Sequence, residues 1–243
     1  MLTAAVIGCG HGGGLSLSAL QNSNEFELLA AADLSAAARE DVEGRFPEVR
    51  LFADYREMLA DCSTDVVCVA TPAPSHATIA RQVLSHNPKG LLLEKPLACD
   101  VSSAEGLLRD VRDAACPAVV PHGMLVLPAA QEIKVLIRRG DIGRIVSVEI
   151  QNAVDLLNAG IHWLAYLLDV FDDDRPTRVR AEFDVSGRVV NDGVQVESRG
   201  DTRIELESGL RFKLHSGNKT DPTSSVLPRA EQKGALFRVT GLN

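Results

Sequence analysis

Aromatic side chains make up only 4% of the 243 residues, with one Trp and two Tyr, so any interior must rest on Val, Leu, Ile and Ala. No apolar run approaches the roughly 20 residues that span a bilayer, and no charged leader precedes a long apolar segment. Neither a membrane span nor a signal peptide is therefore expected. Basic runs are missing as well, and the formal net charge is −8, a balance that argues against nucleic acid or an anionic membrane as partner. The five cysteines (Cys9, Cys62, Cys68, Cys99 and Cys116) are odd in number, scattered and never spaced C-x-x-C. That excludes a disulfide framework or zinc ribbon and suggests buried thiols in a reducing, cytoplasmic setting. The six histidines are dispersed, with no H-x-H or H-E-x-x-H pair, so no metal centre is expected. No G-x-S-x-G elbow occurs, which leaves Ser-His-Asp hydrolysis without support.

What is present starts at the first strand. Ala4 to Ile7 is a short apolar run with β-branched members that stops at glycine, the pattern of a buried strand. Gly8, Gly10 and Gly13 follow at the spacing G-x-G-x-x-G, with His11 and Gly12 inside the loop, and Leu15 to Leu20 opens a helical pattern. Gly8 permits the tight turn, Gly10 lets a pyrophosphate approach the backbone, and Gly13 lets the helix pack close to the strand. The unpaired N–H groups and positive dipole end of the helix would then face the phosphates. A second strand, Phe26 to Ala32, ends in Asp33 about twenty residues beyond the glycines, where a carboxylate accepts hydrogen bonds from an adenosine ribose. No arginine follows Asp33 directly, which favours NAD over NADP.

The rest of the first half keeps a strand–helix rhythm. Ser35 is placed to cap a helix to about Arg45, and Asp54 to cap one over Tyr55 to Ala60, on either side of a short strand at Leu51-Phe52. Asp65 to Ala70 is almost wholly apolar, as a parallel strand buried on both faces should be. Ser75 to Leu84 and Ser102 to Ala115 read as helices, and Gly90 to Leu93 and Pro117 to Val120 as strands. The alternation predicts a doubly wound parallel sheet over residues 1–121. Residues 122–243 read differently. A helix at Gln131 to Arg139 leads into a strand at Arg144 to Gln151, and a further helix runs from about Ala159 to Phe171 into a solvated Asp172-Asp173-Asp174 loop. Alternating segments follow at Arg178 to Asp184, Val189 to Glu197, Thr202 to Glu207 and Leu210 to His215. The turns between them are set at Ser186-Gly187, Arg199-Gly200-Asp201 and Ser208-Gly209. A polar loop from Gly217 to about Gln232 precedes a last strand, Ala235 to Val239. This predicts a second, smaller α/β domain on a mostly antiparallel open sheet with one face solvated. Its last strand leaves an edge to be covered by another subunit, unless the architecture is a shortened one.

Ligands of doubly wound sheets bind at the carboxyl ends of the strands. The glycine loop, Asp33, the stretch from Thr71-Pro72 to His76, and Glu94-Lys95-Pro96 all lie at such ends. Lys95, directly after an apolar strand and directed by Pro96, is placed to donate a proton or hydrogen bond to a substrate oxygen; a surface pairing with Glu94 is the alternative. His162 and Asn158, four residues apart, are expected to share one helix face. An imidazole there suits acid/base work between alcohol and ketone, and a packed core histidine is the competing reading. His76 is placed either to approach a nicotinamide ribose or to cap its helix, and His122, beyond the last strand of the first domain, to line a substrate cleft.

Val6-Ile7-Gly8-Cys9-Gly10, Asp33, Thr71-Pro72 with His76, Glu94-Lys95-Pro96, Gly140-Asp141-Ile142-Gly143 and Gly160-Ile161-His162 together resemble the Gfo/Idh/MocA family of NAD(P)-dependent oxidoreductases, which act mostly on sugars and cyclitols. The resemblance implies a Rossmann domain followed by an α/β domain whose open sheet serves as a homo-oligomer interface. It implies that Lys95 polarises a reacting hydroxyl and that His162 moves its proton while hydride passes to or from the nicotinamide. Asn158 stands where the family usually has Asp, Ala73 where Asn is common, and Gly123 to Leu127 is apolar where an arginine often precedes the proline. The segment from Gln151 to Asn158 and the C-terminal sheet are both short. A second reading is thus kept, a regulatory or partner protein that retains the nucleotide cradle and has lost turnover.

Overall fold

The computed structural model describes residues 1–151, 154–184, 186, 189–191, 193–217 and 236–242. The chain forms two compact units, one of Met1–Pro121 with Asp192–Val194 and the other of His122–Asn191 with Gln195–Asn243.

In the first unit, strands β1 (Leu2–Ile7), β2 (Phe26–Ala32), β3 (Arg50–Phe52), β4 (Val66–Val69), β5 (Gly90–Leu93) and β6 (Ala118–Val119) form one sheet in the order β3-β2-β1-β4-β5-β6. Every pairing is parallel. The order reverses at β1, and ligands of such sheets gather at that point. Helices α1 (His11–Gln21) and α2 (Ala36–Arg45) cover one face, where Leu17, Leu20 and Val42 pack on Ala4, Val6 and Ala31. Helices α3 (Tyr55–Asp61), α4 (His76–Leu84) and α5 (Val101–Asp113) cover the other, with Met58, Val83 and Leu107 on Ala5, Ile7 and Val69. Neighbouring residues of one strand enter opposite cores, which is why these strands read as continuous apolar runs. Three helices start on side-chain caps. The Ser35 hydroxyl accepts from the Ala38 N–H at 3.3 Å, and the Asp54 and Asp100 carboxylates accept from Arg56 and Ser103 at 2.8 Å each. Helix α5 therefore starts at Val101, capped by Asp100, and not at Ser102.

The second unit holds α6 (Pro128–Arg138), α7 (Ile161–Val170) and the strands β7 (Arg144–Gln151), β8 (Pro176–Asp184), β9 (Val189–Asn191), β10 (Val194–Val196), β11 (Arg199–Leu206), β12 (Arg211–Gly217) and β13 (Leu236–Leu242). Five strands make a sheet in the order β13-β7-β12-β11-β8, while β9 and β10 pair separately. Its pairings are antiparallel except β12 with β7, which is parallel. One face buries Val148, Ile150, Ile204, Phe212 and Leu214 with Leu167 of α7. Asp201, Arg203, Glu205, Lys213 and Glu149 alternate with that set, and β8 is exposed along all nine residues.

Several expectations need correction. Val189 to Glu197 is not one strand: the chain reverses near Gly193, whose φ of +79° suits a residue without a Cβ. Gly200 is not a turn residue but lies within β11, opposite Phe183 and Ser216. A Cβ there would come within 2.6 Å of the Phe183 ring and of the Ser216 hydroxyl, so this glycine answers cross-strand packing. The first helix of this unit starts at Pro128, three residues early, because proline suits the first helical turn. The acidic loop is more than solvated, since Asp172 pairs with Arg138 at 2.8 Å and Asp174 receives the N–H of Ser208 at 3.0 Å. Gly187 and most of the polar loop from Gly217 to about Gln232 lie outside the described residues.

Candidate functional site

The turn after β1 is built for close approach. Gly8 has φ +90°, and a Cβ on it would come within 2.7 Å of the Ala70 carbonyl at the end of β4. A Cβ on Gly13 would collide with the Gly8 carbonyl oxygen, so α1 lies against the strand it follows. A Cβ on Gly10 would meet nothing within 4 Å; the loop backbone is bare on that side. Helix α1 begins there with no side-chain cap and no acidic residue in its first turn. Its first N–H groups are thus left for a partner other than a side chain, the condition under which a helix N-terminus holds an anion. The bare Gly10 backbone and the uncapped start fit a diphosphate. His11 is exposed at the head of α1, and Gly12 faces Glu94, whose Cγ lies 3.3 Å from where a Cβ would stand.

Asp33 binds this loop directly. Its Oδ2 accepts the Cys9 N–H at 2.7 Å and its Oδ1 accepts the Ser35 N–H at 2.8 Å. Arg39, one turn into α2, donates from Nη1 to the carbonyls of Asp33 at 2.7 Å and Leu34 at 3.1 Å. No sequence argument had placed a guanidinium at this strand end; the i to i+6 reach from a helix back over its own cap was the overlooked signal. Burial, with the Asp33 carboxylate adding, pushes the Cys9 thiol up to about 12, so it stays neutral in the loop.

At the ends of β4 and β5 the side chains divide by task. His76 is 1% exposed, with Nδ1 2.8 Å from the Pro96 carbonyl and Nε2 2.5 Å from the Thr71 carbonyl. The ring lies between the two strand ends, where a neutral imidazole, having one N–H, donates to one of the two carbonyls; it does not cap α4. The Ser75 hydroxyl donates to Thr71 Oγ1 at 2.8 Å, and Pro72 is exposed. Lys95 is half-buried, and its backbone N–H, not its ammonium, reaches Glu94 Oε2 at 3.2 Å. The peptide between Lys95 and Pro96 is cis.

In the second unit, Asn158 and His162 do not continue one regular helix. Leu156–Gly160 forms a wide π-type turn ahead of α7, closed by the Gly160 N–H on the Asp155 carbonyl at 3.2 Å. Asn158 is buried, with Nδ2 donating to Asp155 Oδ1 at 3.0 Å and Oδ2 at 3.2 Å. Asp155, 5% exposed, also accepts the Asn158 N–H at 2.7 Å and Asn191 Nδ2 at 2.9 Å. His162 turns to His122, with the two Nδ1 atoms 3.3 Å apart. Asp155 was overlooked, though an Asp three residues before Asn158 is a capping signal. Among the described residues, no group of three or more His, Cys, Asp or Glu is placed to hold a metal ion. Among them, too, no helix is long and apolar enough to cross a membrane.

Residues 2–122 match the family model of the Gfo/Idh/MocA oxidoreductases, described as an oxidoreductase family with an NAD-binding Rossmann fold. Through this domain the chain belongs to that family. It is 23% identical over 188 residues to a trans-1,2-dihydrobenzene-1,2-diol dehydrogenase of Danio rerio, covering 71% of this chain and 55% of that protein. It is 31% identical over 115 residues to an inositol 2-dehydrogenase of Mycolicibacterium smegmatis, covering 46% and 32%. The chain thus spans about half or less of the length of these curated relatives. Among solved structures, a myo-inositol 2-dehydrogenase from Lactobacillus plantarum superposes with a TM-score of 0.79 at 16% identity, over 89% of this chain and 70% of that one. An oxidoreductase from Agrobacterium radiobacter, crystallised with NAD+, L-tartaric acid and magnesium, gives 0.81 at 19% identity, over 99% and 72%. At such identities the likeness establishes the fold.

Proposed function

We propose that the chain binds NAD(H) at the turn after β1 and serves hydride transfer to or from a secondary alcohol or ketone of a small sugar-, polyol- or cyclitol-like substrate. The observation that carries this is the glycine turn itself: an uncapped helix start beside a bare Gly10 backbone, braced by a carboxylate from the next strand. Gly8, Gly10, His11, Gly12 and Gly13 would hold the diphosphate, and Asp33 the adenosine ribose, with Thr71, Pro72 and Glu94 around the remainder; His76 contributes by fixing Thr71. When bound, the nicotinamide supplies or accepts the hydride. Lys95 donates a hydrogen bond to the reacting oxygen, and His162 exchanges that oxygen's proton. Asn158, with Nδ2 held by Asp155, has Oδ1 to orient a substrate hydroxyl. NAD is preferred over NADP because a 2′-phosphate would sit against the Asp33 carboxylate, and Arg39 is already engaged by two carbonyls. The setting proposed is cytoplasmic, with the charged open face of the second unit's sheet joining copies of the chain.

The test is nicotinamide absorbance against a panel of sugars and cyclitols, with Lys95→Ala alongside. Full turnover by that variant on an accepted substrate removes this mechanism. A second reading is favoured by one observation: an amide, not a carboxylate, occupies position 158 and is tied to Asp155. It makes the chain a nucleotide-binding regulatory or partner protein. Calorimetric NAD(H) binding with no oxidation of any panel member would support it, and rapid turnover would dismiss it.

A further inference from the structure

Strand β8 ends the second unit's five-stranded sheet on one side, and all nine of its residues are exposed. Along its inner side it pairs antiparallel with β11. A strand so placed turns half of its backbone N–H and C=O groups outward along the edge. We propose that this edge pairs with the same strand of a second copy of the chain, antiparallel and in one register, so that two sheets become one. The contact is separate from the open-face association proposed above and depends on neither coenzyme nor substrate.

Both faces of β8 are left incomplete within one chain. Val179, Ala181 and Phe183 stand opposite Ile204, Thr202 and Gly200 of β11, all of which are buried. Yet Val179 is 63% exposed and Phe183 44%. The apolar face of the sheet therefore runs on, past the part that packs with Leu167 of α7, to a bare edge. Protected edges carry lysine, internal proline or inward-pointing charge. Strand β8 has no lysine, and its one proline is its first residue.

On the other face the charges of β8 are mismatched to their neighbours. Arg180 stands opposite Arg203 and Glu182 opposite Asp201. Like charges directly opposite destabilise a sheet. Arg180 does pair with its own neighbour Glu182 at 2.9 Å, but both side chains are exposed, where such a pair contributes little.

A two-fold axis perpendicular to the sheet keeps each face on its own side, so residues opposite one another share a face. With the axis at Arg180 or at Glu182, that residue would meet its own charge. With the axis at Ala181, Arg178 meets the partner's Asp184, Arg180 meets the partner's Glu182, and Val179 meets the partner's Phe183. Ala181 meets itself. Of the three central registers, only this one sets every charge against its opposite and every apolar side chain against another. Both copies use the same patch, so the assembly closes at two chains. One strand edge is small beside the roughly 1,200–2,000 Å² of a stable interface, and half-dissociation is expected in the micromolar range.

Sedimentation velocity of the whole chain from about 1 to 100 µM reads the association, and thermal melts show that each variant is folded. Arg180→Glu and Glu182→Arg each remove a like-charge contact with β11, so neither is expected to melt lower. Each sets like charges opposite one another at two places across the two-fold axis, and should raise the dimer Kd at least about tenfold. Mixed in equal amounts the two variants restore association, because the acidic pair of one chain then meets the basic pair of the other. Ala181→Cys fixes the geometry, in a Cys99→Ser background because Cys99 is the exposed thiol. Directly opposite residues have Cβ atoms about 5 Å apart, so this cysteine should cross-link to its own copy with a short bismaleimide. Ala181 lies on the side of the sheet away from the charged face, and chains joined only through that face cannot bring the two cysteines together. A chain that is monomeric across the range, a dimer indifferent to both charge variants, or a dimer that never cross-links through Ala181→Cys overturns the proposal. Cross-linking in a chain that turns over nothing supports the edge pairing and overturns only the hydride-transfer reading.

Discussion

The carboxylate of Asp33 receives the backbone N–H of Cys9 at 2.7 Å, so the acidic group at the end of β2 braces the turn that follows β1. Its second oxygen receives the Ser35 N–H at 2.8 Å. Asp33→Asn keeps the shape but must turn an NH2 group toward one of those two donors. Hydrogen bonds to charged groups contribute about 1.5–3 kcal/mol. The variant should therefore lose roughly ten- to a hundredfold in NADH affinity and lose less for NADPH, narrowing any gap between them. Calorimetry with both coenzymes reads this directly, and an unchanged NADH Kd would count against Asp33 as a cofactor ligand.

Gly10 and Gly13 separate binding from folding. A Cβ on Gly13 would strike the Gly8 carbonyl oxygen, while one on Gly10 would touch nothing within 4 Å. Gly13→Ala should destabilise the first unit by about 1–3 kcal/mol, as forced overpacking does, and lower its melting temperature. Gly10→Ala should melt like the unsubstituted chain yet bind NADH at least about tenfold more weakly, because the added methyl occupies the face the diphosphate needs. A Gly10→Ala protein with full affinity would remove the loop from the site.

These contrasts also show where sequence reasoning carries and where it stops. The spacing of Gly8, Gly10 and Gly13 was legible because each glycine answers a local backbone demand that leaves a pattern along the chain. The strands around them were legible because burial on both faces writes an unbroken apolar run. Gly200 was misread as a turn because its cause is the Phe183 ring on the neighbouring strand, and no local pattern records that. The wide turn at Leu156–Gly160, which carries Asn158 ahead of α7, left no mark in the spacing of the residues. Arg39 and Asp155 were overlooked although each makes a local contact, Arg39 six residues back to Asp33 and Asp155 three residues ahead to Asn158; only the bond of Asp155 with Asn191 needs the folded chain.

His76 joins the Thr71 carbonyl to the Pro96 carbonyl from a fully buried position. His76→Ala removes the one N–H that a neutral ring donates here and opens a void beside β4 and β5, at a cost of about 2–4 kcal/mol. His76→Gln has an amide able to satisfy one carbonyl and should recover part of that. Urea denaturation of the three proteins orders them unsubstituted, Gln, Ala. If the alanine variant matched the unsubstituted chain in stability, the clamp would be a contact without energetic weight.

Thiol ionisation gives the fold a sensitivity to alkali with a definite sign. Burial pushes Cys9 up to about 12 and Cys68 up to about 11, against an ordinary value of 9.0. Well below pH 9.0 both thiols are neutral in the folded and unfolded chain, and pH has no effect through them. Above it the unfolded chain releases protons that the folded one retains, so stability falls as pH rises from 9.0 toward 12. Each thiol can contribute at most about 1.4 kcal/mol per pH unit in that window. Cys68→Ala should therefore flatten the alkaline limb of a stability–pH curve measured in urea. The same burial orders chemical reactivity: Cys99 is exposed, whereas Cys9, Cys62, Cys68 and Cys116 are buried. A disulfide reagent at about pH 8, where reaction follows the thiolate, should label one thiol quickly in the native protein, and the others only as the chain unfolds. Rapid labelling at Cys9 would mean that the glycine turn opens far more readily than its bond to Asp33 allows.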